Sequence, residues 1–196
     1  MKTLLRIDAG LRHAGSFSRT MGDYFVERWK KVNPGGNITC RDVNNNAIPH
    51  LNAELATAFF SGEKNTQILN LSNQLCNELI HCDDILITCP MYNYGIPSTL
   101  KTWLDHIVRL NQTFVYEHGK GHRGLLEDKK AYVVSSMGGS KENAACKTFE
   151  NYLKAILGFI GIDNVSMVII DGTATMSFSD NWQEAFQTQI NQELAA

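Results

Sequence analysis

The chain has 196 residues, 43% of them hydrophobic and 19% charged, with a formal net charge of -2. That length and balance fit one globular domain, residues 1–196, with a full core, and exclude a disordered chain. The near-neutral charge argues against a broad electrostatic footprint for nucleic acid or an anionic membrane surface, and no apolar run approaches the ~20 residues that span a bilayer.

Leu4 to Ile7 begins a short strand that ends in a loop, Asp8 to Ser18. Met21, Phe25, Trp29 and Val32 then recur at a helical period, and Pro34-Gly35-Gly36 stops that helix. Ile38 to Val43 reads as a second strand, Asn44-Asn45-Asn46 and Pro49 as a loop, and residues 51–60 as a short helix. A longer helix carries Ile68, Leu71, Leu75 and Leu79. Ile85 to Cys89 is the third strand, and Ser98 is placed to N-cap a helix whose apolar stripe is Leu100, Trp103, Leu104, Ile107 and Val108. Residues 112–126 read as an irregular or hairpin insertion, with Phe114 and Tyr116 alternating and Gly119, Gly121 and Gly124 breaking regularity. Ala131 to Ser135 is the fourth strand, Phe149 to Ile160 line another helix ended by Gly161, Val165 to Ile170 is the fifth strand, and Asn181 to Leu194 is a last helix. Strands that alternate with helices, and that are apolar almost throughout, predict a parallel sheet covered on both faces.

Three loops follow three of these strands: Ala9 to Ser18, Pro90 to Pro97 and Ser136 to Ser140. In a doubly wound sheet they emerge on one edge, where ligands bind. The first offers Gly10, Gly15, Ser16, Phe17 and Ser18 before a helix, a candidate phosphate cradle, although Ser16 or Ser18 could equally be a plain N-cap. It is neither a Walker A loop nor a G-x-G-x-x-G turn. Arg12, His13 and Arg19 could add charge or be surface residues. The second, Met91-Tyr92-Asn93-Tyr94-Gly95-Ile96-Pro97, offers ring faces and polar edges suited to a flat cofactor such as a flavin; as a plain turn it would hold structural tyrosines. In the third, Ser136-Met137-Gly138-Gly139, two glycines allow a tight turn or close approach to a ligand.

Other constellations are weaker. The six histidines show no metal spacing, and no G-x-S-x-G elbow supports a Ser-His-Asp hydrolase. Cysteines 40, 76, 82, 89 and 146 are odd in number and lack a C-x-x-C pair, which suits reduced thiols in a cytoplasmic protein. Cys89, beside the second loop, is a minor candidate for a reactive thiol.

The run Ile87 to Lys101, which reads ITCPMYNYGIPSTLK, resembles the flavin loop and following helix of the FMN-dependent NADH-azoreductases, which belong to the flavodoxin-like quinone oxidoreductases. Asp23-Tyr24-Phe25-Val26-Glu27, Thr113-Phe114-Val115-Tyr116, Lys129-Lys130-Ala131 and Leu157-Gly158-Phe159-Ile160-Gly161-Ile162 are similar to that family in the same order, almost end to end. The resemblance implies a flavodoxin-like three-layer sandwich with a five-stranded parallel sheet in the order 2-1-3-4-5. It implies a homodimer with an FMN near each end of the interface. Gly10, Ser16, Phe17 and Ser18 would meet the FMN phosphate; Met91, Tyr92, Asn93 and Tyr94 would hold the isoalloxazine ring; and Ser136, Met137, Gly138 and Gly139 would flank its other side. Phe114 and Tyr116 are the candidates for a wall over the substrate, with Trp103 in the core or interface. Two departures stand out, Gly10 for the family's usual serine and Met137 for a frequent arginine, and the basic segment His118 to Arg123 is expected near the substrate opening.

The implied activity is a ping-pong transfer of two electrons from NADH, through flavin N5, to quinones or aromatic azo compounds, with no protein nucleophile and with backbone N–H groups of the second and third loops steadying the reduced ring. The alternatives are a single-electron flavodoxin carrier, which would usually be strongly acidic, and a cofactor-free dimeric scaffold.

Overall fold

The computed structural model describes residues 1–45, 47–61, 66–175 and 181–195, so the Asn46 end of the expected asparagine loop lies outside the described residues. In chain order the elements are β1 (Thr3–Asp8), α1 (Phe17–Val32), β2 (Asn37–Asp42), α2 (Ala53–Phe60), α3 (Asn70–Ile80), β3 (Asp84–Pro90), α4 (Ser98–Ile107), β4 (Phe114–Glu117), β5 (Gly121–Gly124), β6 (Lys130–Ser136), α5 (Ala144–Phe159), β7 (Asn164–Ile170) and α6 (Gln183–Ala195). A short 3-10 turn, Gln67–Leu69, leads into α3.

Five strands form one parallel sheet in the order β2-β1-β3-β6-β7. This departs from the expected label 2-1-3-4-5, because the 112–126 insertion is itself two strands: β4 and β5 pair antiparallel, Phe114 opposite Gly124, and stand apart from the main sheet.

Successive strand residues point to opposite faces, and each face buries a separate cluster. Leu5, Ile7, Ile85, Ile87, Ala131 and Val133 pack under α3, α4 and α5, against Leu75, Leu79, Leu100, Trp103, Phe149 and Leu153. Leu4, Leu86, Tyr132, Val134, Val168 and Ile170 pack under α1 and α6, against Met21, Phe25, Trp29 and Ile190. Helix, sheet, helix is therefore the layer order. α1 can lie this close because Gly22 has no side chain; a Cβ there would sit 2.5 Å from Thr88 Cγ2.

Two local expectations are corrected. Val32 is 53% exposed, so the buried stripe of α1 ends at Trp29. Ser98 is the first residue of α4 and Pro97 its cap, without a side-chain capping bond; the preset φ of proline (-55°) does that work instead. Among the described residues no helix is long and apolar enough to cross a membrane.

Candidate functional site

The parallel sheet brings the carboxyl ends of β1, β3, β6 and β7 to one edge, and the loops that follow them enclose a cleft of about 350 Å³. That volume is in the range of small-molecule sites, ~300–1,000 Å³. Of the expected residues, Gly10, Ser16, Phe17, Met91, Tyr92, Ser136, Met137 and Gly138 line it, together with Arg12 and Pro90. Thr173 and Ala174, from the loop after β7, complete the wall and were missed by the motif reading. The topology held the signal: a fifth parallel strand must deliver its own loop to the same edge.

In the first loop, Ser16 caps α1, its Oγ accepting from the Arg19 N–H at 3.4 Å. Ser18 lies inside the first turn, fully buried behind the cleft wall rather than lining it, and its Oγ has no hydrogen-bond partner among the described residues. Gly10 faces both: a Cβ there would meet Ser16 Oγ at 3.3 Å, Arg19 Nε at 3.6 Å and Ser18 Oγ at 3.6 Å. Two hydroxyls and a helix N-terminus thus converge on the space that the missing side chain leaves, which is the makeup of an anion site.

Beneath this loop lies a buried chain of charges that composition did not signal. Arg6 and Asp8 are on β1, on the α1 face, where an alternating apolar strand would carry leucines. Arg6 Nε donates to Asp8 (3.0 Å) and Arg6 Nη1 to Asp23 (2.6 Å), while Thr88 Oγ1 also donates to Asp8. Arg19 Nη2 meets Asp42 at 2.8 Å and Nη1 meets Asp8 at 3.5 Å. Burial alone would lower the Arg6 pKa, but Asp8 and Asp23 hold it above its ordinary value. Burial likewise pushes the Asp42 carboxyl up, but the Asn44 N–H and Arg19 outweigh it and keep Asp42 below its usual range.

The second loop is a two-residue turn. Tyr92 and Gly95 exchange both backbone bonds at 2.9 Å, and Asn93 (φ 49°) and Tyr94 (φ 65°) are both left-handed, as a type I′ turn requires. Tyrosine is costly in that conformation. Tyr92 faces the cleft; Asn93 and Tyr94 form the tip, and the Tyr94 ring, 69% exposed, lines a neighbouring apolar groove of about 470 Å³ with Ile96, Phe149 and Tyr152.

In the third loop, Met137 is nearly buried and packs with Cys146 and Ile169, with Met91 and Met167 against them. Its carbonyl takes the Thr173 N–H (3.0 Å) and Oγ1 (2.9 Å), and Gly172 donates to Gly139 O (2.8 Å). Gly139 itself is exposed outside the cleft. The backbone donors expected to face a ring are only partly available. The N–H groups of Met91, Tyr92 and Met137 are spent on Ser136, Gly95 and Ile170 carbonyls. Cys89 is fully buried and its thiol is pushed up to about 12 by burial, which removes it as a reactive thiol.

Phe114 and Tyr116 do not line this cleft. Phe114 packs edge-on to Phe159 (4.9 Å), the last residue of α5, and His122 stacks on the same ring (4.4 Å, 8°). Helix α5 starts just after the third loop, and its 16 residues rise about 24 Å. The hairpin therefore sits towards the opposite, amino edge of the sheet, and the basic segment His118 to Arg123 sits there with it.

The family described as Flavodoxin-like fold matches residues 1–194. The chain is 36% identical, over its whole length and 98% of the relative's, to FMN-dependent NADH:quinone oxidoreductase 2 of Pseudomonas fluorescens. It is 40% identical to FMN-dependent NADH:quinone oxidoreductase of Hydrogenovibrio crunogenus, over 97% of this chain and 99% of that one. The solved FMN-dependent NADH-azoreductase of Bacillus anthracis in complex with FMN shares the fold, with a TM-score of 0.86 at 21% identity, covering 100% of this chain and 98% of that one. With a matching fold end to end and relatives of this identity along the full length, the chain belongs to the flavodoxin-like family of FMN-dependent NADH:quinone oxidoreductases.

Proposed function

We infer that this protein is an FMN-dependent NADH:quinone oxidoreductase that also accepts aromatic azo compounds. The observation that carries the reading is Ser18 Oγ: a fully buried hydroxyl with no hydrogen-bond partner among the described residues, converging with Ser16 Oγ on the space at Gly10. A buried polar atom left unpaired costs about 1–3 kcal/mol, and a phosphate at the α1 N-terminus would satisfy it. The residues present thus fit FMN.

Gly10, Ser16, Phe17 and Ser18 would hold the phosphate. Met91 and Tyr92 would hold the ring on one side, with Asn93 and Tyr94 forming the turn that carries them, and Ser136, Met137 and Gly138 would flank it on the other, with Gly139 closing the third loop outside the cleft. Bound FMN supplies the two-electron redox chemistry between NADH and the acceptor. The protein's own part is to bind, orient and exclude water. Met91 and Met137 present an apolar floor, Tyr92 an aromatic side, and the Thr173–Met137 bonds keep the third loop in place. One cleft bordered by all three loops supports a ping-pong order in which the nicotinamide leaves before a quinone or azo compound enters.

A homodimer completes the reading. Phe114 and Tyr116 can wall a substrate only if the hairpin of one subunit reaches the cleft of another, and the 66% exposed Tyr116 and the apolar groove beside Tyr94 support such a contact. Five free cysteines suit a reducing cytoplasm. The test is steady-state NADH consumption by FMN-loaded protein with benzoquinone and with an azo dye. Turnover with both is expected; a flavin-loaded protein that consumes no NADH would instead be a single-electron carrier.

A further inference from the structure

We propose that Arg19 and Asn44 are positioning residues for flavin phosphate recognition: together they capture the Gly10 carbonyl and so fix the loop that presents Ser16 and Ser18. The proposal rests on the FMN reading above.

The Gly10 carbonyl accepts from three side-chain donors, Arg19 Nε (3.1 Å), Arg19 Nη2 (2.7 Å) and Asn44 Nδ2 (3.0 Å). A carbonyl oxygen has two lone pairs, and one bond is its usual share. A carbonyl oxygen turned towards an anion would repel it. Three donors lock this peptide with its oxygen towards Arg19 and Asn44, neither of which lines the cleft. Arg19 Nε and Nη2 and Asn44 Nδ2 are spent on this carbonyl and Arg19 Nη1 faces Asp8, so their effect on the ligand passes through the loop.

Both residues are themselves anchored. Arg19 is held by Asp42 at 2.8 Å and Asp8 at 3.5 Å, which ties the loop to the ends of β2 and β1. Its own N–H takes the Ser16 Oγ cap. Asn44 Oδ1 accepts from Thr99 Oγ1 (2.9 Å) in the first turn of α4, the helix that follows the Tyr92 loop. One hydrogen-bonded path thus links the candidate phosphate and ring loops. Because two carboxylates already face Arg19, its contribution is geometric rather than a bare positive charge. Lysine at position 19 would keep the charge and lose the fork that grips one oxygen twice.

The experiment compares FMN with riboflavin, which lacks only the phosphate. Apoprotein of the wild type, Arg19→Lys and Asn44→Ala is titrated with each flavin by fluorescence quenching. The wild type is expected to prefer FMN. In Arg19→Lys that preference should fall about tenfold, and in Asn44→Ala about threefold, with riboflavin affinity within about twofold of wild type, as expected for lost charge-assisted and neutral hydrogen bonds. An unchanged preference, or equal weakening of both flavins, would overturn the positioning role. If Arg19→Lys does not fold, Asn44→Ala in its exposed-edge loop decides by the same criterion. A wild type that binds neither flavin would remove the FMN reading and this proposal together, whereas a wild type that prefers FMN beside unaltered variants would remove this proposal alone.

Discussion

The buried Ser18 hydroxyl is costly for the fold by itself, and the proposed phosphate contact would offset that cost. That hydroxyl is buried without a partner among the described residues, so Ser18→Ala should leave the melting temperature of the apoprotein unchanged or raise it by a few degrees, while FMN affinity falls about tenfold, the worth of one charge-assisted bond. Differential scanning fluorimetry of the apoprotein beside an FMN titration reads both; a variant that loses stability and keeps FMN affinity would place the hydroxyl in the core rather than the site. The thiols behave differently. Burial pushes Cys82 and Cys89 up to about 12 and Cys76 and Cys146 up to about 11, so all four stay protonated and shielded through pH 8. Only Cys40 is exposed. Iodoacetamide at pH 8 should therefore add one group to the native chain and five after denaturation, counted by intact mass. Rapid native labelling of Cys89 would contradict its burial.

At the scale of elements, the 112–126 insertion is the hairpin that its alternation allowed, and only its place in the fold was hidden. Phe114 and Tyr116 were legible as alternating aromatics, but not their distance from the cleft. A helix between two parallel strands returns the chain to the opposite edge, so whatever follows α4 starts away from the loops. That rule, applied to residues 112–126, would have placed them. The hairpin docks through Gly124, where a Cβ would lie 2.1 Å from the Gly161 nitrogen and 2.3 Å from the Ile160 carbonyl carbon. Gly124→Ala should cost about 3 kcal/mol, a melting-temperature loss of roughly 6–12 °C for a domain of this size; an unshifted melt would mean the hairpin does not dock there. Tyr116→Ala separates flavin from substrate roles. FMN affinity should hold within about twofold, and kcat/KM for benzoquinone should fall severalfold, since an aromatic wall contributes about 1 kcal/mol. Equal kcat/KM would exclude Tyr116 from the substrate wall. Ser16 and Gly10 were legible as residues beside the α1 N-terminus because that geometry is local, whereas long-range pairing was not. The Arg6–Asp8–Arg19–Asp42 chain joins two strands and a helix, and nothing in a linear motif announces that pairing.

For the whole molecule, the parallel sheet and its two covering layers were visible from near-continuous apolar strands alternating with helical periods, and only the independent hairpin changed the strand count. The same sheet makes the cleft, because its carboxyl edge gathers four loops at one place. The proposed homodimer would bring the aromatic hairpin of one copy to the cleft of the other, so light scattering should give twice the chain mass at micromolar concentration; a monomer would leave the cleft without Phe114 and Tyr116. The central claim is that the loops at this edge hold FMN and let NADH reduce it. The most direct measurement is anaerobic absorbance of apoprotein reconstituted with FMN. One equivalent of NADH should bleach the bound-flavin band and one equivalent of benzoquinone should restore it. A protein that gains no bound-flavin spectrum, or whose bound flavin NADH leaves oxidised, would contradict the account.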